Sequence, residues 1–216
     1  MRTYLRCALF TALLISLIFC GCQTTYYAMW EKLGKEKRHL LKDEVADAQS
    51  EQKKASEEFK DVLTRVKEIY GLEGGDLEKI YGKLRDDYES CEERADDVRE
   101  RIDSVEEIAE DLFKEWEKEI NEIGNQKFKL KSRESLRDTK VRYARLHNVM
   151  IKASEKMDPV LKNLKDYVLY LKHNLNARAV GALKQEMGNI EIAVESLIRD
   201  INESVREAEE FLKNFE

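Results

Sequence analysis

The chain has 216 residues, of which 38% are charged and one is proline, and its formal net charge is −6. A composition with 42% apolar residues excludes a disordered chain, and the near absence of proline favours long helices over a β fold. The acidic balance excludes a general nucleic-acid binder, because such proteins need a surplus of basic residues to neutralise phosphates.

Residues 1–21 have the pattern of a secretory signal peptide. Arg2 and Arg6 accompany an uncharged, largely apolar stretch at residues 7–20. Fourteen residues rise only about 21 Å as a helix, which is less than the roughly 30 Å hydrocarbon core of a bilayer. We therefore predict a cleaved leader. An uncleaved N-terminal anchor is the alternative.

Cys22 is the predicted lipidation site. Gly21 before it resembles the small residue of a bacterial lipobox, although Phe19 stands where leucine is usual. Cleavage before Cys20 would place bulky Phe19 at the cleavage position. In diderm bacterial lipoproteins, which this leader resembles, an aspartate after the acylated cysteine favours inner-membrane retention. Gln23 stands at that position here, so the resemblance implies that palmitate-type acyl chains on Cys22 hold the protein at the periplasmic face of the outer membrane.

Residues 22–216 form the predicted helical body. Four segments, at about 25–70, 76–123, 132–173 and 178–215, place apolar residues at alternating steps of three and four. Short links make consecutive helices antiparallel. The expected fold is all-α: an elongated antiparallel helical bundle or coiled coil of about four long helices, arranged as two helical hairpins. The seams of the first two segments contain Leu41, Val45, Ala48, Gln52, Ala55, Phe59, Val62, Val66, Ile69, then Leu77, Tyr81, Leu84, Tyr88, Cys91, Ala95, Val98, Ile102, Val105, Ala109, Leu112 and Trp116.

The third and fourth seams have the same spacing. Pro159 lies inside the third segment, where it removes a backbone hydrogen bond, so we predict a kink or a break capped by Asp158. The members are Leu136, Thr139, Tyr143, Leu146, Met150, Ala153, Met157, Val160, Leu164, Tyr167 and Leu171, then Val180, Leu183, Met187, Ile190, Val194, Leu197, Ile201, Val205 and Ala208.

No constellation for catalysis is visible. Cys91, the one thiol left after processing and acylation, falls on a seam and is interpreted as a buried apolar residue. The histidines His39, His147 and His173 lack metal-ligand spacing, and no phosphate loop follows a strand. We therefore expect no enzyme activity and no cofactor or metal. Gln52, the polar member of the first seam, is interpreted as a core residue that sets the register.

The charge pattern changes sharply between the second and third segments. Residues 76–122 hold 19 acidic and 8 basic side chains, whereas residues 127–145 hold only Glu134 and Asp138 as acids. The basic run either pairs with the acidic helix or binds an anionic ligand such as lipid headgroups or an envelope polymer. Phe128 and Leu130, alternating with lysines in a predicted link, would suit a tip that touches a surface. The candidate anion contacts are Lys127, Lys129, Lys131, Arg133, Arg137, Lys140, Arg142 and Arg145.

A second candidate contact lies next to the anchor. Aromatic and apolar side chains crowd there, and they could face either a partner or the membrane interface and the bundle end. The residues are Tyr26, Tyr27, Trp30 and Leu33, together with Met29.

Several short motifs resemble an uncharacterised bacterial lipoprotein family, domain of unknown function family 2959. They occur near the anchor and near the last turn, and the resemblance covers residues 22–216. It implies a lipoprotein with a helical body and leaves its function open. The motifs are Tyr26-Tyr27-Ala28-Met29-Trp30-Glu31-Lys32-Leu33-Gly34, Lys37-Arg38, Ala48-Gln49, Phe59, Tyr170-Leu171-Lys172-His173-Asn174-Leu175-Asn176-Ala177 and Gly181-Ala182-Leu183.

The sequence therefore predicts a non-enzymatic scaffold or binding module tethered to the outer membrane through its lipid. Its expected partners are an envelope protein or an anionic polymer, with no nucleic acid, and a homo-oligomer is possible. The alternative is a membrane-active or membrane-shaping protein that uses the basic link at residues 127–145 on anionic lipid.

Overall fold

The computed structural model describes residues 37–68, 77–175 and 177–215. Within these ranges the fold is all-α, as predicted, with helices α1 Lys37–Glu68, α2 Leu77–Glu122, α3 Gln126–Glu155, α4 Met157–His173 and α5 Ala177–Asn214. Residues 41–216 form one compact unit, and the following description concerns that unit. The predicted leader, Cys22 and the aromatic cluster beside it lie outside the described residues.

Contacts between side chains give the direction of neighbouring helices. On α1 and α2, Arg65 meets Asp87 at 3.1 Å and Glu44 meets Arg101 at 3.0 Å, so residue numbers rise along one helix as they fall along the other. These two helices are therefore antiparallel, as expected for helices joined by a short link.

Contacts between side chains also show which of the remaining helices are neighbours. Phe113 of α2 contacts Tyr143 of α3, Tyr143 contacts Phe211 of α5, and the α1 and α5 residues Lys67 and Glu191 form an ion pair at 2.6 Å. The last helix thus lies against the first. Helices α3 and α4 both contact α2 and α5, so together they take the place of one helix in a four-helix bundle. The predicted antiparallel bundle is confirmed.

Most members of the predicted seams form the core, but Tyr81 and Trp116 of α2 and Val205 of α5 are half-buried. The seam positions Ile69, Val180 and Met187 lie outside the side chains that the structure describes. Each predicted member of the α1 seam from Leu41 to Val66 is at most 1% exposed, and Cys91, Val98 and Ile102 of α2 are equally inaccessible. The α3–α4 seam is buried except for Tyr143, which is half-buried. Each fully buried aliphatic side chain contributes about 1.5–3 kcal/mol relative to an exposed one, so these seams hold the bundle together.

A polar contact crosses this core between α1 and α5. Gln52 and Ser204 are both fully buried, and the Ser204 hydroxyl donates a hydrogen bond of 2.9 Å to the Gln52 side-chain oxygen. Nearby, the Gln49 side-chain amide donates to the backbone carbonyl of Val205 at 3.0 Å. The prediction that Gln52 is a core residue is confirmed, and its role in setting the register stays a prediction.

The third predicted segment is divided at Lys156, which lies between the last residue of α3 and the first residue of α4. Pro159 has no N–H to donate to the carbonyl of Glu155, the last residue of α3. The break is confirmed, but the predicted cap is wrong. Asp158 lies in the first turn of α4, and its carboxylate accepts a 2.5 Å hydrogen bond from Arg99 of α2.

Asp200 of α5 connects the two sides of this break. Its carboxylate accepts a hydrogen bond from Lys152 of α3 at 3.0 Å and forms a close ion pair with Lys156. Burial of the Asp200 side chain raises its pKa, but the hydrogen bonds from Lys156 and Lys152 outweigh that effect and hold the pKa below its usual range. These contacts tie α5 to the junction between α3 and α4, where Pro159 cannot donate a backbone hydrogen bond.

Candidate functional site

The basic run is helical, which corrects the prediction of a link at its start. Helix α3 begins at Gln126, where Asn125 is the N-cap and its side chain accepts hydrogen bonds from the backbone N–H groups of Lys127 and Phe128. Residues two apart on a helix point about 200° apart. Phe128 and Leu130, 62% and 64% exposed, therefore lie on opposite faces of α3, and a tip that touches a surface through them stays a prediction.

Few of the eight basic side chains contact helix α2. Lys140 forms a close ion pair with Glu117, and Lys129 donates a 3.0 Å hydrogen bond to the carbonyl of Asn121. Arg137 instead bonds its own neighbour Asp138 at 3.1 Å. Pairing with the acidic helix therefore accounts for a minority of the run.

Arg142 is half-buried and donates to the Thr139 hydroxyl at 3.2 Å, within its own helix. The other four side chains are exposed and form no ion pair or hydrogen bond among the described residues. These are Lys127, Lys131, Arg133 and Arg145.

A groove of about 560 Å³ lies on the surface where α2 and α3 run side by side. Its volume falls within the range of small-molecule sites. Helix α3 supplies three cations, Arg133, Arg137 and Lys140, and helix α2 supplies the carboxylate of Glu117. The remaining lining is Ile120, Asn121, Leu136, Val141 and Ala144, which makes the floor mainly apolar.

Helical geometry explains why these residues meet. Arg133, Arg137, Val141 and Ala144 are spaced by three or four, so they share one face of α3, and Lys140 lies beside them. Val141 is 60% exposed in spite of its apolar side chain. The charge pattern of the sequence indicates the cations but not the apolar floor. The signal for the floor is that Val141 and Ala144 follow Arg133 and Arg137 at helical spacing, and neither residue belongs to the buried seam.

The start of α3 adds to the positive potential of the basic run. Its first turn holds no acidic residue and contains Lys127. Backbone N–H groups make the start of a helix positive, so a lysine there is unfavourable to the helix and favourable to a nearby anion. The adjacent end of α2 opposes this effect, because the carbonyl groups at a helix end are negative and its last turn holds no basic residue.

The other predicted candidates are structural. Cys91 is fully buried, and desolvation, together with nearby Glu58, Asp87 and Asp61, raises the pKa of its thiol. His147 is half-buried, with its ring stacked on Tyr143 at 5.6 Å. Burial in the same cluster raises the pKa of the Tyr143 phenol.

In residues 37–68, 77–175 and 177–215, which the structure describes, no group of three or more His, Cys, Asp or Glu side chains is placed to hold a metal ion. No helix there combines the length and the apolar character needed to cross a bilayer.

Comparison with known proteins gives a family and no functional relative. No curated protein and no solved structure is significantly similar to the chain. One family model, described as "Protein of unknown function (DUF2959)", matches residues 26–215. This match covers nearly the whole chain, including the five helices, the groove and the basic face of α3. The chain therefore belongs to this family of unknown function, as its motifs predicted.

Proposed function

We propose that the mature chain is a non-enzymatic binding module, held at the periplasmic face of the outer membrane by a lipid on Cys22. Its partner is an envelope protein or an anionic polymer, which the basic face of α3 contacts. One observation carries the proposal: Lys127, Lys131, Arg133 and Arg145 are exposed and unpaired among the described residues. Charges that stabilise no contact within the described part of the chain are available for a ligand.

A catalytic role has less support. The heptad seams take up most of the large apolar side chains, and the buried thiol of Cys91 is far from a reactive state because its pKa is raised. The described bundle instead offers a long charged surface. Helix α2 alone, with 46 residues, spans about 69 Å, so a tethered bundle reaches well beyond the bilayer.

In-cell photo-crosslinking tests this function. A photoreactive amino acid replaces Lys131 on the basic face, and a control chain carries it at Ile192, which is 66% exposed on α5. We expect a defined crosslinked partner from position 131 that is absent from position 192. Equal crosslinking at both positions contradicts the assignment of the surface, and turnover of an envelope substrate by the purified folded chain contradicts the binding role.

The second candidate function is action on anionic lipid. The groove favours it, because cations above an apolar floor suit a molecule that has both a charged and an apolar part. Envelope polymers made of charged sugars would leave the exposed Val141 without an apolar partner.

A further inference from the structure

We infer that the groove between α2 and α3 binds the headgroup and glycerol region of one anionic phospholipid. The inference rests on the proposed binding role of α3 and names its ligand. Phosphatidylglycerol represents the lipid class, since it combines a phosphodiester charge with an apolar body and carries no cation of its own.

The charge balance of the groove selects an anion. Lys140 and Glu117 form an ion pair and neutralise each other, and Arg137 shares its charge with Asp138 at 3.1 Å, so Arg133 leaves one uncompensated positive charge in the groove. Arg133 forms no ion pair or hydrogen bond among the described residues. Arg137 uses Nε and Nη2 on a single oxygen of Asp138, which leaves Nη1 free to donate. One turn separates these two guanidinium groups on the same face, a spacing that lets both contact one phosphate.

The apolar floor selects a lipid over a free anion. Ile120 and Leu136 are buried at the base, and Val141 and Ala144 are exposed along the wall. A phosphate bound by the arginines would place its glycerol carbons against these side chains and remove apolar surface from water. Inorganic phosphate or sulfate would leave that surface uncovered.

The test uses the full chain in a non-ionic detergent. Dihexanoyl phosphatidylglycerol is titrated as a soluble probe, with dihexanoyl phosphatidylcholine, inorganic phosphate and dextran sulfate in parallel, and binding is followed by native mass spectrometry. We expect one molecule of the phosphatidylglycerol probe per chain. Binding of the phosphatidylcholine probe should be about tenfold weaker or less, because its choline group opposes the arginines.

Matched variants locate the site. The double variant Arg133→Gln/Arg137→Gln should weaken phosphatidylglycerol binding about tenfold or more. The control Arg199→Gln/Arg206→Gln removes the same charge from two exposed arginines of α5 that lie outside the groove, and it should change binding by less than about twofold. Val141→Asn tests the apolar wall at constant charge, and it should also weaken the lipid probe. Circular dichroism verifies that each variant keeps its helices.

Three results would overturn the inference. Equal loss in the two double variants means a diffuse charge effect. If inorganic phosphate binds as tightly as the lipid probe, the groove is a site for free anions. If dextran sulfate binds and its binding is lost in both double variants, the surface binds polymers. If the lipid probe does not bind but the in-cell crosslink at position 131 is seen, the proposed function stands without this ligand. If neither lipid binding nor the crosslink is seen, α3 has no binding role.

Discussion

Replacing Val98 with aspartate tests whether the second seam is the core of the bundle. Val98 is 1% exposed and has Ala95 and Ile102 as its seam neighbours on α2, both of them buried. Losing the buried valine surface removes about 1.5–3 kcal/mol. Burying a carboxyl group without a partner adds at least about 1–3 kcal/mol, so the free energy of unfolding should fall by on the order of 3 kcal/mol or more.

The variant Val98→Asn separates shape from charge, because asparagine has nearly the size of aspartate and stays neutral. Burial raises the pKa of a carboxyl group above its unfolded value. The aspartate therefore destabilises the fold most at pH 7, and its penalty shrinks as the pH falls below the raised folded pKa and the group protonates. We expect the aspartate variant to be less stable than the asparagine variant at pH 7 and close to it near pH 4.

Urea denaturation of the full chain, followed by circular dichroism, measures these differences. A loss of about 3 kcal/mol should also lower the melting temperature by roughly 6–12 °C for a chain of this size. Unchanged unfolding of Val98→Asp would refute the assignment of the seam. If the difference in the free energy of unfolding between the two variants is the same at pH 4 and pH 7, the charge argument is refuted.

Three other predictions concern the helix junction and the anchor. Asp200→Asn should lower stability by about 1 kcal/mol at pH 7, a modest value because the two lysines are partly exposed. Since the folded pKa of Asp200 is lowered, its stabilisation is present above the unfolded pKa and is lost as the pH falls, so wild type and variant should converge below about pH 4 in chemical denaturation. A constant difference from pH 7 to pH 3 would exclude the electrostatic explanation. Cys22→Ser should block maturation and membrane retention in cell fractionation, and normal processing would disprove lipidation there. A triple alanine variant of the cluster beside the anchor should reduce in-cell crosslinks while circular dichroism stays unchanged, and undiminished crosslinks would exclude a partner contact at Tyr27, Trp30 and Leu33.

Regular spacing made the core predictable. In a helix, an apolar residue every three or four positions can only form a stripe, and four such stripes meet in a bundle. Cys91 and Gln52 are therefore buried where the seam places them. The beginning of α3 was not predictable in this way, because residues 126–135 have no buried side chain to show the period. Only the local cap at Asn125 marks that start.

The sequence predicts the charge of the candidate site but not its shape. Composition alone identified the basic run, but a count of charges cannot show which cations are already paired. That depends on the rotation of α3 against α2, which brings Lys140 to Glu117 and leaves Arg133 free of such a contact among the described residues. The groove also needs Ile120 from the neighbouring helix, which no local pattern connects with α3.

The sparse burial at the end of the α2–α3 hairpin has a consequence for how such a chain can vary in length. Between Lys114 and Ser135, Ile120 is the only buried residue that the structure describes. Seven residues added to each helix there would lengthen the hairpin by about 10 Å and keep the phase of both seams. The core between α1 and α5 would not be disturbed, because Phe113 and Tyr143, which connect the hairpin to α5, lie outside residues 114–135 where the insertion is made. We therefore expect the length of this hairpin to be adjustable by whole heptads at its end without a change in the rest of the bundle.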